Sequence, residues 1–314
     1  MRPLVVIIGE RRCGTTSLYR MLDVHPDIAM HDQPDWNHFL DEQTVSSRVW
    51  REGREDPATW EATHSVDDYW STLPQGEEAW IGHKGADLFY MQEAHARLER
   101  YAPEARVIVL LRNPVRRAWS QYWNERGKGR ETREFEEALA EEDGQIAEHD
   151  YARDHLSYAD RGFYWRSYQR LIETIDPERV LVIVMEELYR DTQPQMKRVF
   201  DFLGVTDHGD AALPPKQKNQ NWTLVDKPAW RRGLRGWSYR QYQRVCEKII
   251  CSWTKETERR RALRKRLYAP FVVPADAIQM SDETRTRLAT RYLDDARQMG
   301  AHLGKDLVQL WRLG

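Results

Sequence analysis

Leu4-Val5-Val6-Ile7-Ile8-Gly9-Glu10-Arg11-Arg12-Cys13-Gly14-Thr15-Thr16-Ser17-Leu18 is the stretch whose reading decides the fold. Its first five residues form an unbroken apolar run, β-branched from Val5 onward, as a strand buried on both faces requires. Gly9 to Gly14 then reads as a turn, with Thr15, Thr16 and Ser17 expected to cap the helix that follows. Leu18, Met21 and Leu22 give that helix a buried side, and His25-Pro26 is expected to stop it.

The same grammar recurs twice. Val107 to Leu111 is a second apolar run, closed by Asn113-Pro114 and followed by a helix through Ser120 and Tyr122. Val180 to Met185 is a third, followed by a helix from Thr192 that carries Pro194 in its first turn and ends at Gly204. Strands alternating with helices imply a parallel sheet with crossover connections. The C-terminal third reads as helical. Its clearest helix begins near Ser281-Asp282-Glu283, places Leu288, Tyr292, Ala296, Met299 and Leu303 on one side, and stops at Gly304. The expectation is a single domain over 1–314: an α/β core over 1–210 and a mostly helical extension over 211–314.

Gly9 and Gly14 stand at Gly-x4-Gly spacing between a strand and a helix. Backbone N–H groups there converge on an anion, and the helix N-terminus adds partial positive charge. A nucleoside-triphosphatase loop would place Lys and then Ser or Thr after the second glycine. Thr15 occupies the lysine position, which argues against a phosphate-loop kinase. Positive charge is supplied inside the loop instead, by Arg11 and Arg12. Two arginines, two threonines and a serine packed so close together favour anion binding over a tight turn that binds nothing.

The bulk composition sets the outer bounds. With 314 residues, 40% of them hydrophobic, the chain can bury a sizeable core, and a net charge of −2 makes it no polyanion binder by bulk charge. The charge is uneven: residues 131–143 are acidic, and Lys227 to Arg266 hold fourteen Lys or Arg against three Glu, with Trp230, Trp237 and Trp253 among them. That basic stretch reads either as a solvated helical face or as a receiver of an anionic or amphiphilic acceptor at a membrane surface; nucleic acid is not expected. Cys13, Cys246 and Cys251 are too few for a disulfide framework and lack metal-ligand spacing. With no apolar run near eighteen residues and no secretory leader after Met1, a cytoplasmic location is expected.

Ile8 to Leu18 resembles the 5′-phosphosulfate loop of the sulfotransferase superfamily, most closely its heparan-sulfate-type branch and bacterial relatives. Val107-Ile108-Val109-Leu110-Leu111-Arg112-Asn113-Pro114-Val115-Arg116-Arg117-Ala118-Trp119-Ser120-Gln121-Tyr122 resembles the same family's 3′-phosphate motif. Arg161-Gly162-Phe163-Tyr164, Glu186-Glu187-Leu188, Val199 to Val205, Leu267 to Pro270 and Trp311 are similar to further landmarks. The resemblance implies a three-layer α/β fold with a central parallel sheet, a P-loop-like phosphosulfate loop and helical C-terminal additions. It also implies transfer of a sulfuryl group from 3′-phosphoadenosine 5′-phosphosulfate to a hydroxyl or amine of a carbohydrate, lipid or other small molecule. No metal is expected. Arg11, Arg12, Cys13, Gly14, Thr15, Thr16 and Ser17 would hold the 5′ side of the donor, and Arg112 with Ser120 the 3′-phosphate.

The chemistry needs a base near the acceptor proton and positive charge at the bridging oxygen. The resemblance points to Asp35 as that base, in a position where the family normally has Glu; His38, His31 and Asp32 lie close by and could serve instead. Lys84 matches a family lysine, although His83 and Gly85-Ala86 replace its usual neighbours. Arg12 stands where the family has lysine. Arginine stays protonated, so its role would be electrostatic only. These departures leave a non-catalytic nucleotide-binding protein, or a phosphate-loop kinase, as the alternatives.

Overall fold

The computed structural model describes residues 3–31, 70, 73–74, 76–127, 130–148, 150–209, 222–224, 272–274 and 279–314. Asp35, Asp32 and His38, the loop 216–219, the basic stretch 227–266 and the segment 267–270 lie outside these residues.

Five strands form one parallel sheet. In chain order they are β1 (Leu4–Gly9), β2 (Ile28–Met30), β3 (Trp80–Lys84), β4 (Arg106–Leu111) and β5 (Val180–Val184), and in space they run β2-β3-β1-β4-β5. Every residue of β1 and β3 is buried, and so are all but the first of β4. Successive strand side chains point to opposite faces, so uniform burial means that both faces are covered. The covering elements are helices, which makes the fold three-layered. Each aliphatic side chain so enclosed contributes roughly 1.5–3 kcal/mol relative to exposure.

The three apolar runs of the sequence are β1, β4 and β5. The edge strand β2 and its neighbour β3 carried no comparable signal: β2 is three residues long, and β3 contains Gly82, His83 and Lys84, which do not read as an apolar strand. Helix α1 (Thr15–Leu22) follows β1. Thr15, Thr16 and Ser17 lie inside it, not at its cap. The cap is Gly14, in the left-handed region at φ 91°, and no side chain caps the helix. The helix ends at Leu22, ahead of the His25-Pro26 stop.

Helices α2 (Gln92–Tyr101), α3 (Pro114–Gly127), α4 (Phe135–Glu148), α5 (Asp150–His155), α6 (Tyr164–Ile172), α7 (Met185–Arg190) and α8 (Thr192–Leu203) follow in order. Gly204 closes α8 at φ 70°, as its position after the last apolar residue requires. Helix α9 (Asp282–Leu303) is capped by Ser281, whose side chain accepts from the Thr284 N–H, and is closed by Gly304. Leu288, Tyr292, Ala296 and Met299 form its buried side. A short α10 (Leu307–Trp311) completes the chain.

The chain divides into two compact units. One comprises Met1–Tyr122, Arg133–Gln217 and Met280–Gly314; the other comprises Trp123–Thr132 and Lys218–Gln279. The helices α9 and α10 thus belong to the unit that holds the sheet. Within the second unit, β6 (Trp222–Leu224) pairs antiparallel with β7 (Val272–Pro274), two strands too short to register in a reading by periodicity.

A buried segment, Ser157 to Gly162, runs between α5 and α6 and ends in a single 3₁₀ turn, Asp160–Gly162. Buried backbone polar groups need partners, and side chains from three helices supply them. Glu142 accepts the N–H groups of Ala159 and Asp160, each at 2.8 Å. The Tyr292 hydroxyl donates to the Ala159 carbonyl at 2.9 Å. Arg117 donates to the carbonyls of Tyr158 and, at 3.4 Å, of Ser157.

Burial pushes the Glu142 carboxyl up to about 7, from an ordinary 4.5. Between those values the folded chain keeps a proton that the unfolded chain has released. The contribution of Glu142 to stability is therefore complete below pH 4.5 and is lost as pH rises to about 7. Unfolding free energies from urea titrations of wild type and Glu142→Gln should change differently with pH over that interval, by up to ~3 kcal/mol across it. Parallel profiles would contradict the assignment.

Candidate functional site

The turn after β1 is shaped by two glycines. A Cβ on Gly9 would lie 2.6 Å from the Phe89 Cβ, so only glycine lets the chain pass there. Gly14 supplies the left-handed turn into α1. The first α1 hydrogen bond runs from the Ser17 N–H to the Gly14 carbonyl at 2.8 Å. The amides of Thr15 and Thr16 precede that ladder and stand at the positive end of the helix dipole, an arrangement suited to an anion.

Strand β4 lies next to β1, and Arg112 leaves its carboxyl end. Connections diverge on either side of β1, and in such sheets ligands settle outside the carboxyl ends of the strands. Arg112 donates from Nη1 to the Arg12 carbonyl at 2.9 Å. Arg12 is itself left-handed, at φ 69°, an unusual state for a residue with a side chain. Its Nε donates to the Ser120 Oγ, in α3, at 3.0 Å. Arg12, Arg112 and Ser120 therefore meet, although the sequence separates Arg12 from the other two by about a hundred residues.

The second anchor is fixed from behind. The Tyr164 hydroxyl donates to the Arg112 carbonyl at 2.9 Å. The Asn113 Nδ2 donates to the Trp311 carbonyl at 2.6 Å, and the Asn113 Oδ1 accepts the Arg116 N–H at 3.0 Å, in the first turn of α3. Glu186 accepts from the Asn113 N–H at 2.9 Å and from the Trp311 Nε1 at 3.2 Å. The C-terminal helix thus holds the residue next to Arg112.

Other candidates fall differently. Arg11 does not point with Arg12: its guanidinium pairs with Asp87 and donates to the Asp154 carbonyl at 2.8 Å. Cys13 is fully buried, 3.7 Å from the Tyr164 hydroxyl. Burial, reinforced by Glu10, pushes its thiol up to about 12, so it is packing rather than a nucleophile. Ser17 shares a 2.6 Å hydrogen bond with the Tyr189 hydroxyl of α7. Lys84 ends β3 in register with Ile7 of β1; it is 3% exposed, not a solvated surface lysine. His31 is buried after β2, with its ring 6.0 Å from that of His83. Glu10, Asp87, Arg161, Tyr164 and Tyr189 were not among the expected site residues, because their partners are remote in sequence.

One grouping among the described residues has metal-ligand atoms within 4.8 Å of one another: His25, Asp27 and His208. His25 uses both ring nitrogens elsewhere, at 3.1 Å to the Asp27 N–H and 2.9 Å to the Thr206 carbonyl. It serves as a fastening after α1.

A family model described as the sulfotransferase family matches residues 3–209. The chain belongs to that family. It is 27% identical over 209 residues to the mouse bifunctional heparan sulfate N-deacetylase/N-sulfotransferase 4, covering 66% of this chain and 23% of that one. It is 28% identical over 205 residues to the human heparan sulfate glucosamine 3-O-sulfotransferase 6, covering 65% of this chain and 52% of that one. The chain thus spans from about a quarter to about half the length of these curated relatives. Among solved structures, a sulfotransferase from Alicyclobacillus acidocaldarius superposes with a TM-score of 0.65 at 21% identity over 99% of both chains, a likeness of fold.

The burial of Cys13 has a direct check. Iodoacetamide at pH 9, where an ordinary thiol is half ionised, should leave Cys13 unmodified in the native chain and label it in denaturant. Peptide mapping that finds native Cys13 labelled as fast as the denatured form would contradict this.

Proposed function

We propose that the chain transfers a sulfuryl group from 3′-phosphoadenosine 5′-phosphosulfate to a hydroxyl or amine. The observation that carries this reading is the meeting of Arg12, Arg112 and Ser120 at adjacent strand ends. One anion site lies over the amides of Thr15 and Thr16. A second, formed by Arg112 and Ser120, stands beside it. A ligand bearing a phosphosulfate at one end of a nucleoside and a phosphate at the other fits two such sites, whereas ATP needs only one.

The donor supplies an activated sulfur and a bisphosphate leaving group. Around it, the amides of Gly14 to Thr16 and the hydroxyls of Thr15, Thr16 and Ser17 would bind the 5′ oxygens. Ser17 would exchange its hydrogen bond with Tyr189 for one to the ligand. Arg112 would grip the 3′-phosphate with a charge-assisted hydrogen bond, and Ser120 would donate a second. Arg12 and Lys84 would place fixed positive charge where negative charge gathers on the bridging oxygen. Asp35 would accept the proton of the attacking hydroxyl or amine. The named relatives act on amino and hydroxyl groups of heparan sulfate, which supports a carbohydrate acceptor. The whole of 1–314 would act as one sulfotransferase domain, without a metal.

Calorimetry with 3′,5′-adenosine bisphosphate, beside ATP with magnesium, tests the donor site. Wild type should bind the bisphosphate in preference to ATP. Arg112→Ala should weaken binding by roughly 10- to 100-fold, the value of a charge-assisted hydrogen bond. Preference for ATP, or an unchanged Arg112→Ala affinity, would overturn the reading. The base is tested separately: Asp35→Asn should lower kcat by roughly 10²- to 10⁴-fold and leave bisphosphate affinity within error. A variant of full activity would remove Asp35 from the reaction.

A further inference from the structure

Arg161 sits on the 3₁₀ turn Asp160–Gly162, fully buried, in contact with the anion loop from beneath. Its Nη1 donates to the Glu10 Oε1 at 2.9 Å. Its Nη2 lies 3.1 Å from the Asp87 Oδ1, and its Nε donates to the Ser157 Oγ at 3.0 Å. The guanidinium also stacks over the Tyr90 ring, 4.3 Å from its centroid.

Glu10 and Asp87 also bind Arg11, beside the Asp154 carbonyl. The same Glu10 Oε1 accepts the Arg11 N–H at 2.6 Å, and Asp87 pairs with the Arg11 guanidinium. The result joins two cations and two anions, Arg11 and Arg161 with Glu10 and Asp87. Buried charges are tolerable only when matched in this way, and removing one partner leaves another exposed to the cost of desolvation.

We infer that Arg161 is a positioning residue for the anion loop, acting through Glu10 and Asp87 and not through the ligand. By fixing both carboxylates it draws Arg11 inward. The following residue, Arg12, is then free to take its left-handed conformation and turn toward Ser120 and Arg112. The segment 157–162, held by Glu142, Arg117 and Tyr292, is the rigid support that brings Arg161 to this place. This inference rests on the proposed donor site. It assigns to a residue some 150 positions from the loop the task of aiming it.

The test measures bisphosphate affinity and thermal unfolding of Arg161→Met, Glu10→Gln/Arg161→Met and Asp87→Asn. Arg161→Met removes a buried cation from both Glu10 and Asp87, so the loop shifts and affinity falls by roughly 10- to 100-fold. The double variant restores the charge balance around Arg11 and recovers most of that loss, although it removes a further native contact. Asp87→Asn, which preserves the side-chain shape, weakens binding in the same direction. A purely structural role would lower melting temperatures and leave the affinity of the folded protein unchanged. Should Arg161→Met fail to fold, the other two variants decide. Wild-type affinity in every folded variant overturns the positioning role while leaving the donor site intact. Failure of wild type to bind the bisphosphate instead overturns the donor site itself.

Discussion

The hydrogen bond from Arg112 to the carbonyl of Arg12 joins the two halves of the candidate site. Arg12 adopts a backbone conformation that a residue with a side chain avoids unless its surroundings impose it. Here the surroundings are a guanidinium on its carbonyl, a serine hydroxyl on its Nε and a buried pair that fixes the preceding residue. The amides of Thr15 and Thr16, at the start of α1, lie outside the helix's own hydrogen-bond ladder.

Two arginines adjacent in sequence thereby receive opposite tasks. Arg11 is neutralised by Asp87 within the interior, and Arg12 meets the second anchor. The family resemblance singled out Arg12, which stands where relatives have lysine, but it placed Arg11 beside it on the 5′ side of the donor. Both lie in the same glycine-spaced turn, and only the fold shows that Arg11 pairs with Asp87 while Arg12 meets Ser120. On the proposed reading, the positive charge at the donor comes from Arg12, Lys84, Arg112 and the helix dipole, while Arg11 fastens the turn through Asp87.

Much of the sheet was legible because its central strands announce themselves. β1 and β4 are buried on both faces and must be apolar throughout, the edge strand β5 is an apolar run buried over its last three residues, and Gly204 and Gly304 close helices where a left-handed residue is needed. The adjacency of Arg112 and Ser120 to the loop was legible through a family pattern rather than through physics. Three things were not. β3 is buried yet carries histidine and lysine, so composition hides it. β2, β6 and β7 are three residues each, too short for a period. The buried ion set of Glu10, Arg11, Asp87 and Arg161 joins positions 76 and 151 apart, and no local window contains that information.

A crystal structure of the chain with 3′,5′-adenosine bisphosphate tests the central claim most directly. The account predicts the 5′-phosphate over the amides of Gly14, Thr15 and Thr16 and the 3′-phosphate within hydrogen-bond distance of Arg112 and Ser120, with Arg11 still paired to Asp87. A nucleotide bound elsewhere, or bound at the loop with its 3′-phosphate away from Arg112, would contradict it.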